Sequence, residues 1–299
     1  MDGNDILLAE RSQQMKLRFE CYHCIFKMVK SISSDVGNSD RERSKLLREM
    51  LDFLVKNGEN MIPPRMTLET QRIFTRETGI ADPYREVKIK STKLGLELLE
   101  EYRQIVKNSA KPLETAIKIA IGGNIIDYGI YPDFQLSDAK HEIAKVLDMP
   151  FDQNALDDLI ERINKAERIF YVLDNCGEAV LDRLVLEQIQ DKVTVGVRGA
   201  PALNDVTRLD ATESGLDEFP IVDSGTGASG IVLDQIPDDY RNALYNSDLV
   251  ITKGIGNFES LEEDFKERPL YFLFRVKCPV IAELLGVPLH SVQVRGHNL

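Results

Sequence analysis

Residues 168–178 read RIFYVLDNCGE, and this stretch decides the fold. Ile169 to Leu173 is a short apolar run, β-branched and aromatic, that ends on Asp174-Asn175 and turns at Gly177-Glu178. Such a run reads as a strand buried on both faces, the mark of a parallel sheet, and open α/β sheets bind ligands just beyond these strand ends. Asp174 and Asn175 then have two readings. They are ligands for a hard cation, since carboxylate and amide oxygens suit Mg²⁺ or Mn²⁺ better than zinc, or they cap a helix that begins near Gly177.

Working outward, further apolar runs fall at residues 193–197, 219–222, 249–252, 271–276 and 292–294, with helical patterns at 179–190, 260–268 and 280–285 between several of them. Strands alternating with helices predict right-handed crossovers and a mainly parallel, Rossmann-like three-layer α/β/α sheet. Before it the period is helical. Cys24, Ile25, Met28 and Ile32 mark one helix, Leu47, Met50, Leu51 and Leu54 a second, and Leu94, Leu98, Tyr102 and Ile105 a third. Pro63-Pro64 forces extended backbone before a helical pattern resumes at Thr67, Pro112 opens another helix, and Asn154 caps the last. The expected organisation is a loose extension over 1–14, with Met15 a second candidate start, an all-helical region over 15–165, and the α/β/α domain that holds the site over 166–299.

The chain has 299 residues, of which 43% are apolar and 29% charged, an ordinary globular composition. Its net charge of −12 argues against general affinity for nucleic acid or an anionic membrane face. An anionic substrate then needs a local cation or metal. There is no run of eighteen apolar residues and no basic-then-apolar leader, which reads as a cytoplasmic protein with its four cysteines reduced.

The second strand end supplies more oxygen. After residues 193–197 comes RGAPALNDVT, which puts Asn204 and Asp205 on the neighbouring loop, so that Asp174, Asn175 and Asp205 could converge on one ion. After residues 249–252 comes KGIGN, where Lys253 among glycines approaches a phosphate or is a surface lysine in a turn. Gly225, Gly227 and Gly230 spell G-x-G-x-x-G, but Pro237 stops the following segment too soon for a dinucleotide site, and a glycine nest for phosphate or carboxylate, with Ser224 and Gly225, fits better. Cys21-x-x-Cys24 lacks a second pair; it is a metal or redox half-site, or small-residue packing on one helix face. No Gly-x-Ser-x-Gly elbow is present.

Together the blocks GNIID (123–127), DNCGE (174–178), PALNDVT (201–207), SGTG (224–227) and KGIGNFE (253–259) resemble the metal-dependent damage-control phosphatases, a family long listed as a domain of unknown function and once linked to protein-glutamate methylation. The Cys-x-x-Cys helix is similar to the small prokaryotic branch. The resemblance implies a helical N-terminal region beside an α/β/α core. It implies a divalent ion (Mg, Mn, Co or Ni) on Asp174, Asn175 and Asp205, and Lys253 on the phosphate. By the same resemblance Asn124 and Asp127 border the cleft, and Glu178, Asn204, Gly254 and Asn257 line it with Ser224 and Gly225. The implied reaction is hydrolysis of the phosphomonoester of a small metabolite such as a sugar phosphate; attack by Asp174 or by water is left open. The rivals are a nucleoside-cofactor transferase of the S-adenosylmethionine carboxyl methyltransferase type and a non-catalytic metal or phosphometabolite binder. The oligomeric state is not legible.

Overall fold

A computed structural model describes residues 15–35, 39–124 and 135–299. The expected extension over 1–14 and the candidate Asp127 lie outside the described residues.

Three helices come first: α1 (Phe19–Asp35), α2 (Asp40–Asn57) and α3 (Pro63–Thr78). Ser39 and Glu42 form a capping box that starts α2, and α3 begins directly on Pro63, where a missing N–H costs nothing. Their apolar faces meet in a small core of their own around Val29, Met50, Met66 and Phe74. Four more helices follow, α4 (Arg85–Asn108), α5 (Pro112–Gly123), α6 (Leu136–Asp148) and α7 (Gln153–Lys165). α6 adds to the expected elements, with Ala139, Ile143 and Val146 buried at helical spacing. The cap of α7 is Asp152, whose side chain accepts from the Ala155 N–H, rather than Asn154.

The remainder alternates: β1 (Ile169–Val172), α8 (Cys176–Leu186), β2 (Val193–Val197), α9 (Arg208–Glu213), β3 (Ile221–Asp223), α10 (Asp238–Asn246), β4 (Leu249–Lys253), α11 (Ile255–Leu261), β5 (Leu270–Arg275), α12 (Pro279–Leu285) and β6 (Val292–His297). The sheet order is β3-β2-β1-β4-β5-β6, parallel except for β6, which runs antiparallel to β5. Two elements differ from expectation. The third strand starts at Ile221, two residues late, and the helix expected over 260–268 starts at Ile255, because Gly254 at φ +78° turns the chain directly out of β4.

Successive β1 residues serve opposite faces, as a two-residue period requires. Ile169, Tyr171 and Leu173 join the core shared with α4 to α8, whereas Phe170 and Val172 join the core under α10 and α11. The sheet is therefore covered on both faces, and helices from the N-terminal half share one continuous core with it. Among the described residues no helix is long and apolar enough to cross a membrane.

α4 packs on α8 through Gly95. A Cβ there would stand 2.9 Å from both the Gly177 carbonyl oxygen and Val180 Cβ, and Gly177 lies just after Asn175. Helix propensity alone would favour Gly95→Ala by about 1 kcal/mol. Overpacking is expected to outweigh that gain and destabilise the protein by about 1–3 kcal/mol. A thermal melt checks the sign: the variant should melt lower, and a higher melting temperature would refute this packing account.

Candidate functional site

The strand order reverses between β1 and β4, the place where an open parallel sheet leaves a crevice at its carboxyl edge. Asp174 follows β1 there and Gly254 follows β4. A Cβ on Gly254 would overlap the Asp174 carboxyl group, so glycine at this position is what lets the carboxylate occupy the crevice. A cavity of about 430 Å³ opens in front of it, between these strand-end loops and helices α1 and α3.

Asp174, Asn175 and Asp205 all line this cavity, as do Asn204 and Asn124. The β1 and β2 loops are knitted together by backbone bonds: Val206 N–H donates to the Asp174 carbonyl at 2.8 Å and Cys176 N–H to that of Asn204 at 3.0 Å. Asn175 occupies the N-cap position of α8 yet makes no side-chain capping bond. Its Oδ1 is buried without a hydrogen-bond partner. The helix-cap reading therefore does not account for this side chain.

Around these oxygens negative charge is in excess. Asp174 is held well above the usual carboxylate range, first by burial and then by the charges of Asp205 and Glu178, with Arg198 and Lys277 pulling the other way. Asn124 donates its amide to Glu178 Oε2 at 2.8 Å and to Asp174 Oδ2 at 3.4 Å. Among the described residues no three His, Cys, Asp or Glu side chains are grouped to hold an ion by themselves. The donor set here is two carboxylates and an amide. Crowded carboxylates beside an orphaned amide oxygen fit a hard divalent cation, whose charge would relieve both conditions.

Two cations next to the site were not recognised from the sequence. Arg198, directly after β2, is fully buried; its Nε donates to Asp205 Oδ2 at 2.7 Å and one terminal nitrogen to Asn257 Oδ1 at 2.9 Å. Lys277, two residues beyond β5, lines the cavity and donates to the Asn124 carbonyl at 2.6 Å. Lys277 follows β5, a strand end that the sequence reading did not pursue, and Arg198 opens the block after β2 from which only Asn204 and Asp205 were read.

Other expected residues stand behind the cavity wall rather than on it. Lys253 is fully buried, its ammonium donating to Glu178 at 2.6 Å, Asp182 at 2.8 Å and the Ala120 carbonyl at 3.0 Å. Burial alone would lower its pKa, but Asp182 and Glu178 outweigh that and hold it raised. Glu178 is likewise sealed within this cluster, and burial raises Asp182 to about 7 against the pull of Lys253. Asn257 is buried, bridging Arg198 and the Lys253 carbonyl. Ser224 is buried as well, donating to the Thr226 carbonyl. Gly225 packs against Gly199 so closely that a Cβ on Gly199 would strike the Gly225 backbone, and Gly230 abuts Gly256 in the same way. Close backbone approach thus accounts for the G-x-G-x-x-G spacing.

Lys253→Met should strand Glu178 and Asp182 as uncompensated buried charges and cost roughly 3–5 kcal/mol. Lys277→Met should leave the melting temperature nearly unchanged and weaken inorganic phosphate binding by calorimetry. A Lys253→Met protein that melts normally but no longer binds phosphate would show that Lys253 itself contacts the phosphate. A second check uses Glu259, on the cavity wall, whose carboxyl is raised to about 8 by burial. A folded pKa above the unfolded value costs nothing where both states are protonated, and costs progressively more as pH rises toward that folded pKa. Glu259→Gln should therefore raise the melting temperature by a few degrees at about pH 8 and by almost nothing at about pH 4, below the unfolded value; a pH-independent gain would contradict the burial.

The damage-control phosphatase ARMT1-like domain model matches residues 18–292. The chain is 32% identical over 289 residues to a damage-control phosphatase of Pyrococcus horikoshii, covering 92% of this chain and 96% of that protein. It is 30% identical over 281 residues to a damage-control phosphatase of Archaeoglobus fulgidus, covering 91% and 96%. An uncharacterised protein of Methanocaldococcus jannaschii is 29% identical over 294 residues, covering 94% and 96%. The crystal structure of a DUF89 family protein from Pyrococcus horikoshii superposes with a TM-score of 0.80 at 30% identity, covering 93% of this chain and 98% of that one. Matched over nearly its whole length, this chain belongs to the damage-control phosphatase ARMT1-like family.

Proposed function

We propose that this chain is a divalent-metal-dependent phosphatase acting on phosphomonoesters of small metabolites, with Asp174, Asn175 and Asp205 as the metal ligands. The observation that carries the reading is the unpartnered, buried Asn175 Oδ1 on a residue that lines the cavity together with Asp174 and Asp205. Family membership and relatives named damage-control phosphatases support the phosphatase class. The all-oxygen donor set favours Mg²⁺ or Mn²⁺, with Co²⁺ and Ni²⁺ as substitutes.

A divalent ion bound there supplies Lewis-acid polarisation of a phosphoryl oxygen. The chain's own groups do the rest. Arg198 holds the Asp205 carboxylate in a fixed orientation through its Nε, and Asn124 does the same for Asp174 and Glu178 through its amide. Lys277 brings positive charge to the cavity wall, where it offsets the charge of a phosphate. Lys253 acts at one remove: by neutralising Glu178 and Asp182 it keeps their charge from repelling an anionic substrate.

Phosphate release from a panel of phosphomonoesters tests the reading. Activity should vanish on chelation and return with Mg²⁺ or Mn²⁺. Asp174→Asn and Asp205→Asn should each lower kcat by about a hundredfold or more with the fold intact by circular dichroism. Turnover that survives both chelation and Asp174→Asn would overturn it.

A further inference from the structure

The cavity has two unlike kinds of lining. One is Asp174, Asn175 and Asp205, proposed above to hold the ion, with Lys277, proposed to offset the phosphate, and Asn124 and Asn204. The rest of the lining is mainly apolar: Ile25 and Met28 from α1, Pro63 from α3, and Leu203, Ile255 and Val280 from the strand-end loops and the helices that follow them. Three thiols, Cys21, Cys24 and Cys278, complete this wall, and burial raises the thiol pKa of Cys21 and Cys278, so these two behave as weakly polar, uncharged groups. The polar exceptions on the wall are few. Thr67, Ser229 and Tyr84 carry hydroxyls, Glu20 is solvent-exposed, and Glu259 is held protonated near neutral pH by its burial.

We infer that the substrate of this site is an amphiphilic phosphomonoester, one whose alcohol portion is largely apolar, rather than the phosphate of a polyol or sugar. The inference rests on the phosphatase reading and narrows its substrate class. Hydrolysis adds water across the phosphorus–oxygen ester bond and releases inorganic phosphate and the free alcohol, so the wall must accommodate that alcohol throughout. A sugar would bring several hydroxyls against Ile25, Met28, Ile255 and Val280, where each hydroxyl buried without a partner costs on the order of tenfold in affinity. An alkyl, aryl or thioether body instead gains by leaving water, roughly fourfold per buried methylene. Charge agrees with this lining: the phosphate is drawn to the cation site and Lys277, and the apolar body is left to Ile25, Met28, Ile255 and Val280. The thiols fit the same body, since sulfur is soft, polarisable and indifferent to hydroxyl groups.

The test pairs kinetics with binding. In the presence of Mg²⁺ or Mn²⁺, kcat/KM should rise roughly fourfold per carbon from ethyl to butyl phosphate, and glycerol phosphate and hexose phosphates should lie at least tenfold below butyl phosphate. Met28→Gln, a near-isosteric change on a half-buried wall residue that also packs on the core of α1 to α3, should reduce the preference for butyl over glycerol phosphate several-fold with at most a few degrees' loss of melting temperature. Binding separates this inference from the catalytic reading. Butyl phosphonate, which cannot be hydrolysed, should bind more tightly than methyl phosphonate by calorimetry and should slow alkylation of Cys24 by iodoacetamide. Tighter butyl binding with no turnover of any ester would sink the phosphatase reading but keep the apolar-bodied ligand. Better turnover of polyol phosphates, a flat alkyl series, or no chain-length dependence in phosphonate binding would overturn the inference itself.

Discussion

Burial of charge at the carboxyl edge of the sheet is the constraint on which the rest depends. An ionised side chain removed from water must be compensated where it sits, and one left alone costs several kcal/mol. Lys253 and Arg198, each at the end of a strand, are both fully buried and carry that compensation. Lys253 gathers a carbonyl of α5 and two carboxylates of α8, while Arg198 gathers Asp205 and Asn257. Four separate segments are thereby drawn to one place. The same network that holds the helical half to the sheet also holds Asp205 in position, so folding and preorganisation of the candidate site are one event.

Backbone packing completes what the charges begin. Gly199 lies on Gly225, Gly227 on Pro201, and Gly230 on Gly256, so the loops after β2, β3 and β4 are stacked main chain on main chain. Leu203 is held at φ +49° within the second of the two ligand loops, a conformation an L-residue adopts only when its surroundings enforce it. Loops locked in this way leave little freedom for Asp174 and Asp205 to reorient. Fixed oxygens are what an ion site and a charged transition state both require.

Much of this was legible in the chain, and the part that was not shares a cause. The strands were visible because a buried parallel strand is a continuous apolar run, as residues 169–173 and 249–252 are. Asp174 and Asn175 stood out because they close such a run, and Asp205 because it lies on the loop that follows the next run. Lys253 was visible as a strand-end lysine, but its direction was not. Reading that direction requires knowing that Glu178 and Asp182, four apart and so on one face of α8, point back at it. Arg198 and Lys277 were hidden for the same reason, since a cation after a strand has no visible partner until the neighbouring loop is placed. Glycine spacing misled in the opposite sense: one pattern serves phosphate cradles and tight loop stacking alike, and only the loop opposite decides between them.

The helical half divides into two parts with different tasks. Helices α4 to α7 share the sheet's main core, and changing them disturbs the fold. Helices α1 to α3 have their own small core and meet the sheet domain through a buried apolar cluster, Leu68 with Ala228 and Val232, and through polar contacts such as Arg65–Asp234 and Arg72–Gln235. Exposed pairs of this kind contribute little to stability. This part supplies Ile25, Met28 and Pro63 to the cavity, while the loops after β1 and β2 supply Asp174, Asn175 and Asp205, the proposed ion ligands. On the proposed reading, residues of α1 and α3 can change part of the apolar wall without touching Asp174, Asn175 and Asp205, which the loops after β1 and β2 supply.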